Sequence, residues 1–192
     1  MLPAPLEVTM IVVEALESLG VPYLIGGSLA SSLFGSTRAT LDADILADLR
    51  PEHAESLQRK LSQEFYLDPE AMREAIRRRG SFNAIHMETA FKIDLFVPRD
   101  RPFDRMELER RQRYEVGTSP PQSAYFASPE DVILAKLEWY LSGGEVSDRQ
   151  WIDILGVLKV QGERLDRQYL QRQAEELGVA DLLERALREG EE

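Results

Sequence analysis

Asp42 and Asp44 stand at alternate positions of a short apolar run, Leu41 to Leu46. Alternate side chains of a strand point to one face, so the two carboxylates can grip a single cation together. Just upstream, the apolar run Val21 to Ile25 breaks at Gly26-Gly27-Ser28. Glycines lacking Cβ let a backbone approach a phosphate closely, and a helix capped by Ser28 would turn free N–H groups toward its charge. A third acid, Asp94, lies within a later apolar run, Phe91 to Val97. Carboxylates around a hard cation beside a glycine turn suit phosphoryl transfer. Plainer readings exist for each piece: a tight strand-to-helix connection, and solvent-facing acids on an edge strand. Yet three gathered carboxylates repel one another and resist ionisation unless a cation holds them, so stability alone does not explain them. By the same alternation Lys92 shares the face of Asp94, where it could meet a phosphate or simply pair with that acid.

The elements that must position these residues can be traced along the chain. Leu6 to Leu19 has helical apolar spacing and stops at Gly20. Val21 to Ile25 and Leu41 to Leu46 read as strands, with a helix from Ser28 to about Phe34 between them. Pro51-Glu52 and Asp68-Pro69-Glu70 open two further helices. Ser81 to Met87 and Phe91 to Val97 read as two strands of a hairpin around Glu88-Thr89. Pro98 to Arg113 is charged and leans basic, and Val116 to Ser128 contains the Pro120-Pro121 break. From Ser128 the pattern becomes helical: Ser128-Pro129 to about Leu141, Asp148 to about Val160 behind the capping-box spacing of Ser147 and Gln150, Asp166 to near Gly178, and Val179 to Leu187. The expected architecture is α+β, a mixed sheet flanked by helices over residues 1–127 followed by a C-terminal helical domain over 128–192.

The 192 residues carry a net charge of -11, which argues against a protein that coats nucleic acid through its overall field. Clusters such as Arg77-Arg78-Arg79 and Arg110-Arg111 could line an acceptor path, but interleaved Asp100, Asp104, Glu107 and Glu109 favour a self-paired surface. The absence of cysteine excludes disulfides, a thiolate nucleophile and zinc–thiolate sites. His53 and His86 have no partners at ligand spacing and read as structural or exposed. No apolar run reaches membrane-spanning length, and Met1 to Gly20 carries Glu7, Glu14 and Glu17 without a basic leader. The expectation is a cytoplasmic protein without membrane partners.

The run Leu24-Ile25-Gly26-Gly27-Ser28, followed by Arg38-Ala39-Thr40-Leu41-Asp42-Ala43-Asp44-Ile45, resembles the signature of the DNA polymerase beta-like nucleotidyltransferase superfamily. Leu29 to Leu41 fills the longest spacer that signature allows, and Asp94 within Lys92-Ile93-Asp94-Leu95 matches its third carboxylate. Ala43 is smaller than the usual aliphatic residue between the first two. The resemblance extends to AbiEii-type abortive-infection nucleotidyltransferases, toxin components of bacterial toxin–antitoxin pairs, whose lysine and aspartate in the helical half match Lys136 and Asp153.

It implies an enzyme that binds a nucleoside triphosphate and transfers its nucleoside monophosphate to an acceptor hydroxyl on RNA, protein or a small molecule, with an antitoxin as an optional partner. Asp42, Asp44 and Asp94 would be catalytic and hold Mg²⁺, in a two-metal site if Asp94 completes the second, and Mn²⁺ could substitute. Lys136 would join the catalytic set. Gly26, Gly27, Ser28, Arg38 and Asp153 would serve nucleotide binding. The alternative on the same scaffold is an inactive nucleotide-binding or protein-interaction module. Lys136 also stands out by itself, because Val132, Ile133, Trp139 and Tyr140 surround it at helical spacing and turn it inward. There it must snorkel, shift its pKa or meet an anion, which could be the acid cluster or the nucleotide. For Asp153, a helical ion pair with Arg149 is the plainer account.

Overall fold

A computed structural model of the chain describes residues 4–35, 40–117 and 121–190. Contacts within the chain divide it into two compact units: Met1–Gly26 with Thr40–Phe126, and Gly27–Ala39 with Ala127–Glu192.

The first unit contains the sheet. Among the described residues its strands are β1 (Tyr23–Ile25), β2 (Asp42–Ala47), β3 (Phe65–Tyr66), β4 (Ser81–His86), β5 (Lys92–Phe96), β6 (Gln112–Val116) and β7 (Gln122–Phe126), in the order β3-β4-β5-β2-β1-β7-β6. The sheet is mixed: β2 runs parallel to β5 and β1 to β7, and the other neighbours are antiparallel. β2 and β5 are therefore interior strands with partners on both edges. Their alternation is strict. Ala43, Ile45, Ala47, Ile93 and Leu95 are fully buried, while Asp42, Asp44, Leu46, Lys92, Asp94 and Phe96 are half-buried on the opposite face. The buried face is what drives these segments into the sheet, at about 25 cal/mol per Å² of apolar surface removed from water. The same period of two delivers every acid to the other side.

Around the sheet, α1 (Pro5–Ser18) packs on β2 and on α3 (Ala54–Leu61), and α4 (Pro69–Arg78) packs on α3 and β4. Asp68 caps α4, its Oδ1 accepting from the backbone N–H groups of Glu70 and Ala71. A further helix, α5 (Pro102–Arg110), occupies the charged stretch where the sequence pattern indicates none. Two of the residues it buries are acids, Asp104 and Glu107, so no apolar stripe marks it. Asp104 is held by the backbone N–H of Arg99 at 2.7 Å and by the Arg101 guanidinium. β6 likewise escapes a reading by hydrophobic alternation, because Gln112 to Val116 buries only its last residue. Of the Pro120-Pro121 break, Pro120 lies outside the described residues.

The second unit comprises α2 (Gly27–Phe34), α6 (Pro129–Ser142), α7 (Asp148–Gln161), α8 (Arg167–Leu177) and α9 (Ala180–Gly190). α2 packs on α6 and α7, α6 on α8, and α7 on α9. Ser128, Ser147 and Asp166 cap α6, α7 and α8. At Gly35, φ is +147°, and a Cβ there would lie 2.6 Å from Val160 Cγ2 and 2.7 Å from the Gly156 carbonyl oxygen. Only glycine lets the end of α2 approach α7 this closely. No helix among the described residues is long and apolar enough to cross a membrane.

Candidate active site

The register of β2 and β5 assembles the acids. Asp44 lies opposite Asp94, and Asp42 opposite Lys92. The row continues on both sides. β4 places Asn83 opposite Asp94, and at the end of β1 the Gly26 N–H donates to the Asp44 carbonyl oxygen at 2.9 Å. Asn83, Asp94, Asp44 and Gly26 thus form one lateral row across four strands. Lys92 and Asp42 form the next row. Asn83 is the member that the sequence reading missed, although counting back from the hairpin at Glu88-Thr89 would have placed it against Asp94. The plainer reading of the acids as edge-strand residues does not hold, since both strands are interior.

Gly26 has an informative environment. Among the described residues, a Cβ added there would meet only Leu24 Cδ1, at 3.8 Å, and its backbone is outside the left-handed region. Among the described residues, neither packing nor backbone conformation demands glycine there. What the missing side chain leaves is open space at the end of the acid row.

A cation already stands among the carboxylates. The Lys92 ammonium donates to Asp94 Oδ2 at 2.6 Å. The Asp94 hydrogen bond holds the Lys92 pKa above the ordinary lysine value against partial desolvation, and the charges of Asp94, Asp42 and Asp44 add to the effect. The face therefore accepts a cation, and its all-oxygen donor set is what Mg²⁺ and Mn²⁺ prefer. Among the described residues, no three or more His, Cys, Asp or Glu form a ready-made metal-binding group. The fit is one of donor chemistry and shared face, with Asp94 engaged by lysine. At the head of β2, the Thr40 hydroxyl donates to the Asp42 carbonyl oxygen at 2.6 Å. Arg38 lies outside the described residues.

In the other unit, α2 begins at Gly27, whose φ of +54° favours glycine, so Ser28 sits inside the first turn and is not the cap. The Ser28 and Gly27 carbonyls accept from the hydroxyls of Ser32 and Ser31. Lys136 is buried, as its helical neighbours require, and it has an anion of its own: Nζ donates to Asp153 Oδ2 at 2.9 Å and to Gln150 Oε1 at 3.0 Å. Of its expected apolar neighbours, Val132, Ile133 and Tyr140 are buried, but Trp139 is 55% exposed.

The basic clusters are largely paired. Arg77 and Arg78 engage Glu74, Arg79 donates to the Pro98 carbonyl oxygen at 2.8 Å, and Arg105 lies 3.7 Å from Asp100. Arg111 and Arg113 lie over the Tyr125 ring at 4.8 and 5.6 Å. His86 is buried with Nδ1 2.9 Å from the Thr89 hydroxyl, and His53 Nδ1 accepts from the Arg50 N–H. Both histidines are structural.

Several solved structures superpose on this chain. An antigenic nucleotidyltransferase-like protein from Paracoccidioides brasiliensis superposes with a TM-score of 0.54 at 18% identity, over 94% of this chain and 91% of that one. A lincosamide antibiotic adenylyltransferase bound to lincomycin gives 0.52 at 14% identity, over 79% and 95%. ANT(2")-Ia in complex with adenylyl-2"-tobramycin gives 0.54 at 12% identity, over 88% and 94%. No protein-family profile matches the chain, and no curated protein does. The likeness establishes a nucleotidyltransferase fold, a mixed sheet flanked by helices with helical elements following it.

Proposed function

We propose that this chain is a divalent-metal-dependent nucleotidyltransferase that moves a nucleoside monophosphate from a nucleoside triphosphate to an acceptor hydroxyl. The supporting observation is the row of Asp94 and Asp44 in register, with Asp42 beside them, on interior strands around a cation and ending in the open space at Gly26.

In this reading Asp42, Asp44 and Asp94 would hold Mg²⁺, with Mn²⁺ as a substitute, and Asp94 would contribute to a second ion if one binds. The metal would neutralise phosphate charge and favour the attacking alkoxide. The acceptor oxygen forms a bond to the α-phosphorus while the bond to the bridging β-phosphate oxygen breaks. Pyrophosphate leaves, and the acceptor proton passes to Asp94 or to solvent. No covalent enzyme intermediate is required, because positioning and charge neutralisation supply the rate. The turn Gly26-Gly27-Ser28 and Arg38 serve the triphosphate. Lys136 as a catalytic residue and Asp153 as a nucleotide contact belong to the same reading, and their mutual pairing within the helical unit supports a structural role for the pair as its alternative.

Pyrophosphate release tests the proposal, with each nucleoside triphosphate offered against total cellular RNA, protein, and aminoglycoside or lincosamide acceptors. The fold shared with antibiotic adenylyltransferases motivates the small-molecule arm. The resemblance to AbiEii-type toxins motivates the RNA arm, together with co-purification of an antitoxin in a cytoplasmic expression host. Release abolished by Asp44→Ala supports the reading. Nucleotide binding without release for any acceptor favours the inactive sensor instead.

A further inference from the structure

We propose that Lys92 is a built-in counter-ion of the carboxylate face, standing where the divalent cation binds, so that metal entry must displace its ammonium. The inference rests on the reading of this face as a metal site and concerns how that site is kept and controlled.

Lys92 faces Asp42 across the β2–β5 register and lies on the same side of β5 as Asp94. Its Nζ takes one acceptor site of Asp94 Oδ2 on the face where a metal would bind; the carboxylate keeps other lone pairs, so a metal there competes with the ammonium through charge and space. Two cations on one oxygen also repel each other, weakly in water and several-fold more strongly where the face is partly dry. With 42% of its side chain exposed, Lys92 has solvent to withdraw into, and its four-carbon stem gives the ammonium reach. Before metal arrives, the ammonium offsets the mutual repulsion of three half-buried acids. The cost of displacing it sets a threshold concentration for metal.

Titration of the full chain with Mn²⁺ alone, followed by calorimetry, tests this. Lys92→Met should bind Mn²⁺ about tenfold more tightly than wild type, a change of about 1.4 kcal/mol. Its melting temperature should be lower without metal and rise further when metal is added. Lys92→Arg, which keeps the charge, should stay within about threefold of wild type, against the same tenfold scale. Mn²⁺ binding by Lys92→Met equal to or weaker than wild type overturns the role of Lys92 and leaves the carboxylate site standing. Tight binding that survives Asp44→Asn in the Lys92→Met background overturns it too, since the metal would then lie elsewhere. Absence of saturable binding in both wild type and Lys92→Met overturns the metal site itself and this inference with it.

Discussion

Two lysine–aspartate pairs, one in each unit, use the same chemistry to opposite ends. Lys136 and Asp153 are 5% and 0% exposed, tie α6 to α7, and have Gln150 as a further partner of the ammonium. Lys92 and Asp94 are 42% and 21% exposed, lie on one strand, and share their face with two more carboxylates. A buried pair is costly to assemble and far costlier to break, because removing one partner strands the other charge away from water. A half-exposed pair contributes little and can be exchanged for another ligand. Closure suits a joint between helices; exposure beside further acids suits a site. The two glycines repeat the contrast: packing within the chain demands Gly35, whereas no described residue demands Gly26.

Breaking the sheet face should have the largest effect on activity and almost none on folding. Asp44→Asn is expected to lower transfer by about a thousandfold or more, in line with losing a major source of charge stabilisation. Its melting temperature should hold or rise, since one of three like charges is gone; pyrophosphate release and a thermal melt read both. Lys136→Met should weigh on folding instead, costing about 3–5 kcal/mol in urea denaturation by removing the ammonium from the buried Asp153 carboxylate. The double change Lys136→Met, Asp153→Leu should recover a large part of that loss. A single Lys136→Met variant as stable as wild type would remove the distinction between the two pairs.

The glycines sharpen the same contrast at smaller scale. Gly35→Ala forces a methyl group into Val160 and the Gly156 carbonyl, with an expected cost of about 1–3 kcal/mol. Gly26→Ala should change stability by no more than about 0.5 kcal/mol. It should still weaken nucleoside triphosphate binding, measured by calorimetry, because the methyl group fills the open space. Equal destabilisation by the two would contradict the assignment of Gly26 to a ligand.

The smallest effect concerns pH. Burial, and then the hydrogen bond to Glu17 at 2.8 Å, hold the Tyr23 phenol well above its ordinary range, with the Tyr125 N–H opposing. The unfolded chain loses this proton first. The stability brought by the neutral phenol is therefore complete below about pH 10 and is lost as pH climbs past it. Lys92, also raised, acts in the same direction. Tyr23→Phe should cost about 1 kcal/mol at neutral pH and flatten the alkaline fall in stability, as followed by urea midpoints.

Much of this was legible before any coordinates. Period-two alternation placed Asp42 and Asp44 on one face and Lys92 with Asp94, and the caps Asp68, Ser128, Ser147 and Asp166 marked helix starts within a residue or two. Where the signal failed, burial was polar or one-sided. α5 buries Asp104 and Glu107, and β6 exposes most of its length, so neither carries an apolar period. Ser28 has the chemistry of a cap, but the left-handed backbone of Gly27 starts the helix one residue earlier.

Local spacing alone determined which side chains of each strand travel together, because that follows from the geometry of an extended chain. It could not determine which strands become neighbours. Pairing β2 with β5 in parallel, in the register that sets Asp44 against Asp94 and brings Lys92 to Asp42, depends on contacts between residues far apart in sequence. The same holds for Asp153, whose bond to the buried Lys136 ammonium comes from a different helix and so could not be read from the spacing of its own.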